Sequence, residues 1–113
     1  PQSVKEEGGY KKKGKTADQI TALLADAKAL DEAGACAMVL ESIVPEVATQ
    51  ITAAVKATTI GIGAGSATDG QVLVTPDLLG SYPWFRPPFA KARADVASET
   101  LRAVREYVSE VRG

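Results

Sequence analysis

Two short strand-like runs, each preceded by a stretch with helical spacing, constrain the fold of this chain more than any other feature. The first run covers residues 35–40 and the second covers residues 58–62. The first is a continuous apolar run, as is typical of a strand that is buried on both faces of a parallel sheet, and the second is predicted to be another short buried strand. Because helices and buried strands alternate along the chain, the sequence predicts an α/β fold with a parallel sheet.

Local signals mark where the helices before and after the first run begin and end. Thr16 and Gln19 have the spacing of a capping box, which predicts a helix start at this point, and Gly34 supplies the stop. A second helix is predicted to start over residues 42–45, because Pro45 suits a first helical turn. The apolar residues that give the two helices their inner faces are Ile20, Leu23, Leu24, Ala27, Leu30, Val47, Ile51, Ala54 and Val55.

The remainder of the chain predicts a third strand, a loop and more helix. Residues 72–74 are apolar and mostly β-branched, which predicts a strand. Residues 80–88 hold three prolines, which predict an irregular loop, and we expect Trp84 and Phe85 to form a hydrophobic plug that anchors it. From Phe89 to residue 112 we expect helix in one or two pieces. Its apolar stripe consists of Leu101, Val104, Val108 and Val111.

We therefore interpret residues 1–113 as one domain or part of one. It consists of a loop over 1–15, a helix–strand–helix–strand–strand segment over 16–79, the proline-rich loop and the final helices. Three strands are few for a parallel sheet that needs cover on both faces. We expect the chain to be part of a larger barrel or sheet.

Composition excludes several classes of function. The formal net charge of −1 argues against a dedicated nucleic-acid binder, and no apolar run has the roughly 18 residues that a membrane span needs. The chain has no histidine, so acid–base chemistry would fall to Glu, Asp, Lys, Tyr or water. The one cysteine, Cys36, lies in an apolar run, and we expect it to be a small buried hydrophobe.

Residues 9–16, GYKKKGKT, fit the phosphate-loop pattern G-x-x-x-x-G-K-[ST]. A working phosphate loop needs a buried strand before its first glycine, and the preceding residues VKEEG do not predict one. We interpret the stretch as a solvated basic loop that enters a capped helix, with a role near an anionic ligand left open. A rival hypothesis for the whole chain is a small non-catalytic α/β module that binds a phosphate or nucleotide through its glycine- and lysine-rich loops.

Glu41 is the strongest candidate for a catalytic residue. It ends an apolar strand, so it lies at the carboxyl edge of the sheet, where α/β folds place their sites. Partial burial there would raise the pKa of its carboxyl group and suit it to general acid–base work. The alternative is an ordinary exposed carboxylate.

Three glycines and two aspartates are weaker candidates. Gly61, Gly63 and Gly65 follow the second strand and either line the mouth of a site or allow tight packing. Asp77 follows a strand-like run and is either a site residue or a cap, and Asp69 precedes Gly70 in a turn signature.

Four stretches together resemble the ketopantoate hydroxymethyltransferase family. They are PQSV followed by GGY near the start, then VLESIVPEVATQIT, TIGIGAGSATDGQVLV with a following DLLG, and PPFAKARAD before the last helix. The resemblance covers essentially the whole chain, and its third stretch is long and specific.

The resemblance implies a (β/α)8 barrel that transfers a hydroxymethyl group from 5,10-methylenetetrahydrofolate to 3-methyl-2-oxobutanoate, with Mg²⁺, to give 2-dehydropantoate. It also implies a cytoplasmic homo-oligomer and the role of proton acceptor for Glu41, the glutamate of the V-L-E motif. The family's metal ligands lie on earlier strands, so we expect none in this chain. The chain would then supply about strands six to eight, pack against the rest of the same barrel and be inactive alone.

Overall fold

The structure, a computed structural model, describes residues 11–113, and these residues form two compact units. The first unit runs to Val72 and the second from Leu73 to Gly113. The first unit contains helix α1 (Ala17–Glu32), strand β1 (Ala37–Glu41), helix α2 (Pro45–Ala54) and strands β2 (Thr58–Ile62) and β3 (Gly70–Gln71). The second contains helices α3 (Thr75–Leu79) and α4 (Val96–Arg112).

Helix α1 is bounded by the signals that the sequence carries. The Thr16 hydroxyl accepts a hydrogen bond from Gln19 N over 3.2 Å, while Gln19 Oε1 accepts one from Lys15 N over 2.9 Å. The predicted capping box is therefore present, although the glutamine reaches the residue before the cap. At the other end Gly34 adopts φ +92° and donates to Asp31 O, as in a Schellman motif.

The three strands form a parallel sheet in the order β1-β2-β3, so the predicted α/β class with a parallel sheet is confirmed. Ala37 pairs with Thr58 and Glu41 with Ile62, which brings the carboxyl ends of β1 and β2 level with each other. The strand β2 has the bounds predicted for it.

One face of the sheet is covered, and the other is open. Met38 and Leu40 are buried in a core with residues of α1 and α2. The core consists of Ala27, Met38, Leu40, Ile43, Val47, Ala48, Ile51, Ala57 and Ala64. Val39, between the two buried residues of β1, is 59% exposed. The prediction that residues 35–40 are all buried is wrong for Val39, because helices cover only one face of the sheet.

Two further predictions differ from the structure. The third strand is Gly70–Gln71 and not residues 72–74, and residues 75–79 form the short helix α3. The helix predicted from Phe89 begins at Val96, because Asp95 is its cap and Oδ1 of Asp95 accepts from Ser98 N over 3.2 Å. Within residues 11–113 there is no helix with both the length and the apolar character that spanning a bilayer requires.

The second unit is held together around the loop between its helices. Arg93 N donates to Leu78 O over 2.7 Å, and Ala97 N donates to Gly80 O over 3.0 Å. Gly80 ends α3 in the left-handed conformation with φ +62°. The predicted apolar stripe of α4 is present and lies exposed in the chain by itself.

Candidate active site

Glu41 occupies the last position of β1 on the open face of the sheet. Side chains alternate along a strand, so Glu41 shares its face with Val39 and lies opposite the face of the buried Leu40. Its register partner on β2 is Ile62. The side chain is exposed in this chain by itself, which is the alternative that the sequence left open.

The residue after Glu41 has an unusual backbone. Ser42 adopts φ +52°, which makes it the one non-glycine residue with a positive φ among residues 11–113. Its amide donates to Ile62 O over 2.9 Å, and its carbonyl accepts from Lys13 N over 2.8 Å. Left-handed backbone at a non-glycine residue costs about 1–3 kcal/mol and persists where surrounding contacts enforce it. Here those contacts fix the chain direction immediately after Glu41.

The lysine-rich segment lies against this point. Lys13 and Ile43 form a parallel bridge, in which Val44 N donates to Lys13 O over 2.9 Å. Gly14 is buried with φ +88° beside Val47. Residues 13–14 are thus bound to the carboxyl end of β1.

The first glycine of the phosphate-loop pattern, and the residues before it, lie outside the described residues. The last residue of the pattern, Thr16, accepts a hydrogen bond from Gln19 N as the cap of α1. This cap accounts for Thr16 without a nucleotide.

The glycine loop after β2 is packed against the protein's own atoms at two positions. A Cβ on Gly61 would lie 2.6 Å from Thr68 Oγ1, and a Cβ on Gly65, where φ is +80°, would lie 2.7 Å from the Cβ of Pro45. Gly63 has φ +65°. At Gly61 and Gly65, close packing is sufficient to require glycine.

Asp69 fastens this loop to β2, a role that the sequence analysis missed. Oδ2 of Asp69 accepts from Thr59 N over 2.8 Å, and Asp69 N donates to Thr59 Oγ1 over 3.2 Å. Thr59 is fully buried, and its hydroxyl also lies 2.9 Å from Thr52 Oγ1. The Asp-Gly signature predicted a turn, and nothing local in it revealed the partner ten residues earlier.

Gln71 also holds the glycine loop in place through side-chain hydrogen bonds. Its Nε2 donates to Gly65 O over 3.0 Å and to Thr68 Oγ1 over 2.8 Å, while Thr68 Oγ1 donates to Gly70 O over 2.8 Å. The side chains of Thr68, Asp69 and Gln71 therefore hold the glycine loop in place.

Three other residues with predicted roles differ from their predictions or have one of their alternatives removed. Asp77 is 9% exposed and lies in the first turn of α3, whose cap position is Val74, so Asp77 is not the cap. Cys36 is exposed, which contradicts its predicted burial. Trp84 is 77% exposed and stacks on Tyr82 with ring centroids 5.3 Å apart, so the prediction of a buried plug is wrong for Trp84.

Within residues 11–113 no three His, Cys, Asp or Glu side chains come together in a group that could hold a metal ion. Mg²⁺ prefers several carboxylate and water oxygens in octahedral geometry. The described residues do not fit a magnesium site.

Comparison with known proteins gives a consistent result. A sequence profile described as ketopantoate hydroxymethyltransferase matches residues 1–113. A 3-methyl-2-oxobutanoate hydroxymethyltransferase of Sulfurimonas denitrificans is 48% identical over 112 residues, which are 99% of this chain and 43% of that protein. Proteins of the same name from Carboxydothermus hydrogenoformans and Cenarchaeum symbiosum are 50% and 49% identical, over 41% and 42% of their lengths. The chain thus spans about two fifths of these curated relatives.

Proposed function

This chain belongs to the ketopantoate hydroxymethyltransferase family, and on that premise we propose that it forms the carboxyl-terminal part of a barrel enzyme of pantothenate biosynthesis. The enzyme transfers a hydroxymethyl group from 5,10-methylenetetrahydrofolate to 3-methyl-2-oxobutanoate and produces 2-dehydropantoate. We further propose that it is a cytoplasmic homo-oligomer. Its magnesium ion would bind to residues outside those described here.

The barrel architecture is supported by the one-sided cover of the sheet. Helices α1 and α2 cover the face of Met38 and Leu40, as the outer helices of a (β/α)8 barrel cover their strands. The opposite face presents the exposed Val39 and the half-buried Ile60, and branched residues of this kind fill barrel interiors. We propose that β1, β2 and β3 are about strands six to eight, and that the rest of the barrel closes over this face.

The observation that carries the catalytic proposal is the position of Glu41 on the face that would form the barrel interior. The carboxyl ends of barrel strands hold the active site in barrel enzymes. Glu41 is the last residue of β1, and the backbone after it is fixed by the hydrogen bonds of Ser42. A carboxylate held in this way can serve as a general base for a substrate seated at the mouth.

The reaction gives the base a defined task. The Glu41 carboxylate accepts the proton from carbon 3 of the keto acid, and the electron pair of that C–H bond passes into an enolate. One folate nitrogen leaves the methylene carbon and takes up a proton, and the enolate carbon forms the new bond to that carbon. Water then replaces the second folate nitrogen, so that its oxygen becomes the hydroxyl group of 2-dehydropantoate and its proton passes to that nitrogen. The proton on Glu41 is afterwards available to a departing or solvent base.

A chimera tests the assignment, with this chain replacing the matching 43% of the Sulfurimonas denitrificans relative. We expect the chimera to form 2-dehydropantoate and Glu41→Gln to lower its kcat by about 10²–10⁴-fold. Glu46→Gln, which changes an exposed carboxylate in the first turn of α2, is the matched control and should stay within about twofold. Unchanged turnover in Glu41→Gln contradicts the base role, and a folded but inactive chimera contradicts the proposed activity.

A further inference from the structure

The lysine-rich segment has a fixed location and a charge that the catalytic proposal does not use. Lys11, Lys12, Lys13 and Lys15 occupy four of five consecutive positions. Lys13 is bound through its backbone to Ser42 and Val44, and Ser42 directly follows the candidate base Glu41. Positive charge is therefore held at the carboxyl end of β1, at the rim of the candidate site.

The side chains at the two ends of this segment are open to solvent. Lys11, Lys12 and Lys15 are exposed, and none of the three is in an ion pair with another of residues 11–113. The segment thus presents the ammonium groups of three exposed lysines to solvent.

We propose that this segment binds the run of carboxylates in the oligoglutamate tail of the folate co-substrate. The proposal rests on the proposed function, because it assumes that folate enters at this edge of the sheet. It assigns Lys11, Lys12 and Lys15 as ligands, and Lys13 as the residue whose backbone holds them in place.

A chain of carboxylates matches these residues better than the single carboxylate of the keto acid does. The keto acid must bring its C–H group within hydrogen-bond reach of Glu41, at the strand end. The three lysines lie outside that position, on a solvated segment where a single ion pair is screened and contributes little. A flexible tail with several carboxylates engages several lysines at once, and each contact after the first is intramolecular.

The kinetic test compares folates with one and with five glutamates in the chimera. We expect Lys11→Gln, Lys12→Gln and Lys15→Gln together to raise the KM for pentaglutamyl methylenetetrahydrofolate about tenfold and to weaken its salt dependence. The KM values for the monoglutamyl form and for the keto acid should change less than about twofold, with kcat retained. The matched control neutralises three exposed cations elsewhere, Lys28, Lys91 and Arg105, and should leave all of these values unchanged.

A binding measurement separates this proposal from the catalytic one. Calorimetry with pentaglutamyl tetrahydrofolate, which needs no turnover, should show affinity reduced about tenfold in the triple lysine variant and intact in the control variant. If the chimera shows this difference in affinity but forms no product, the catalytic proposal fails and the proposed binding of the oligoglutamate tail by the lysines stands. An equal rise in the KM for the keto acid, or an unchanged KM for the pentaglutamyl folate with turnover retained, overturns the tail site.

Discussion

The amide of Ser42 donates to the carbonyl of Ile62 over 2.9 Å, across the carboxyl ends of β1 and β2. This bond continues the pairing of β1 with β2, and the φ of +52° at Ser42 then turns the chain sharply. The carbonyl of Ser42 meanwhile accepts from Lys13 N. Three separate segments of the sequence therefore meet at one residue, and the position of Glu41 depends on the conformation of its neighbour.

The effect of a substitution at Ser42 on stability should depend on how well the new residue tolerates a positive φ, and not on its polarity. Ser42→Gly places the residue best suited to φ +52° at this position, and we expect the stability of the chimera to stay within about 1 kcal/mol of the parent. Ser42→Val should cost about 2–3 kcal/mol, because β-branched residues strongly disfavour the left-handed region. Urea unfolding of both variants measures the difference, and equal stabilities would contradict the strain at this residue.

Gly65→Ala should destabilise the protein through two separate effects. The new residue would hold an unfavourable φ of +80°, and its Cβ would lie 2.7 Å from the Cβ of Pro45. Gly34→Ala is the matched control, because φ is +92° there and nothing lies within 4 Å of the added atom. We expect about 1–2 kcal/mol for the control and about 1–3 kcal/mol more for Gly65→Ala, measured by urea unfolding. A loss of stability in Gly65→Ala no larger than that in Gly34→Ala would show that the glycine loop shifts to accept the added Cβ without further cost.

Features that depend on neighbours in the chain could be predicted from the sequence. The start of α1 at its Thr16 cap, its end near Gly34 and the first turn of α2 at Pro45 are all formed by local contacts, and they lie where the sequence places them. Strand β2 likewise has its predicted bounds. Glu41 could be chosen as a candidate catalytic residue because the sites of α/β folds lie at the carboxyl ends of parallel strands.

Features that depend on contacts between residues far apart in the sequence could not be predicted from it. The apolar residues 72–74 look like a strand, but Asp69 bonds to Thr59 and starts the pairing at Gly70. The exposure of Val39 depends on a cover that no local pattern describes. The non-helical residues before Val96 are held by the bond from Arg93 N to Leu78 O, which links positions fifteen residues apart.

Removal of the Asp69 carboxylate should loosen the glycine loop. Asp69→Ala leaves the amide of the buried Thr59 without its acceptor, and an unsatisfied buried group costs about 1–3 kcal/mol. Asp69→Asn keeps an oxygen that can accept the same bond and should cost less than half as much. Hydrogen exchange at the Thr59 amide measures the local free energy of opening. Faster exchange to the same extent in both variants would contradict the proposed bond.

Asp31 should make the first unit sensitive to acid. Its carboxylate accepts from Lys56 N over 3.1 Å and from Ala57 N over 2.8 Å, which joins the end of α1 to the start of β2. The hydrogen bonds from Lys56 and then Ala57 lower the pKa of Asp31 below its ordinary value of 3.8, with a smaller contribution from the Lys56 charge. Since the folded-state pKa is the lower one, the stabilisation is fully present above pH 3.8 and is lost as the pH falls through the folded-state value.

The variant Asp31→Asn should therefore reduce stability at pH 7 and narrow its gap to the parent as the pH falls below 3.8. Asp26→Asn is the matched control, because Asp26 is exposed on the same helix and its carboxylate has no hydrogen bond or ion pair within residues 11–113. Urea unfolding of the chimera between neutral pH and about pH 3 measures both. A gap between Asp31→Asn and the parent that stays constant over this range would contradict the role of the Asp31 carboxylate, because the stabilisation would then not depend on its ionisation.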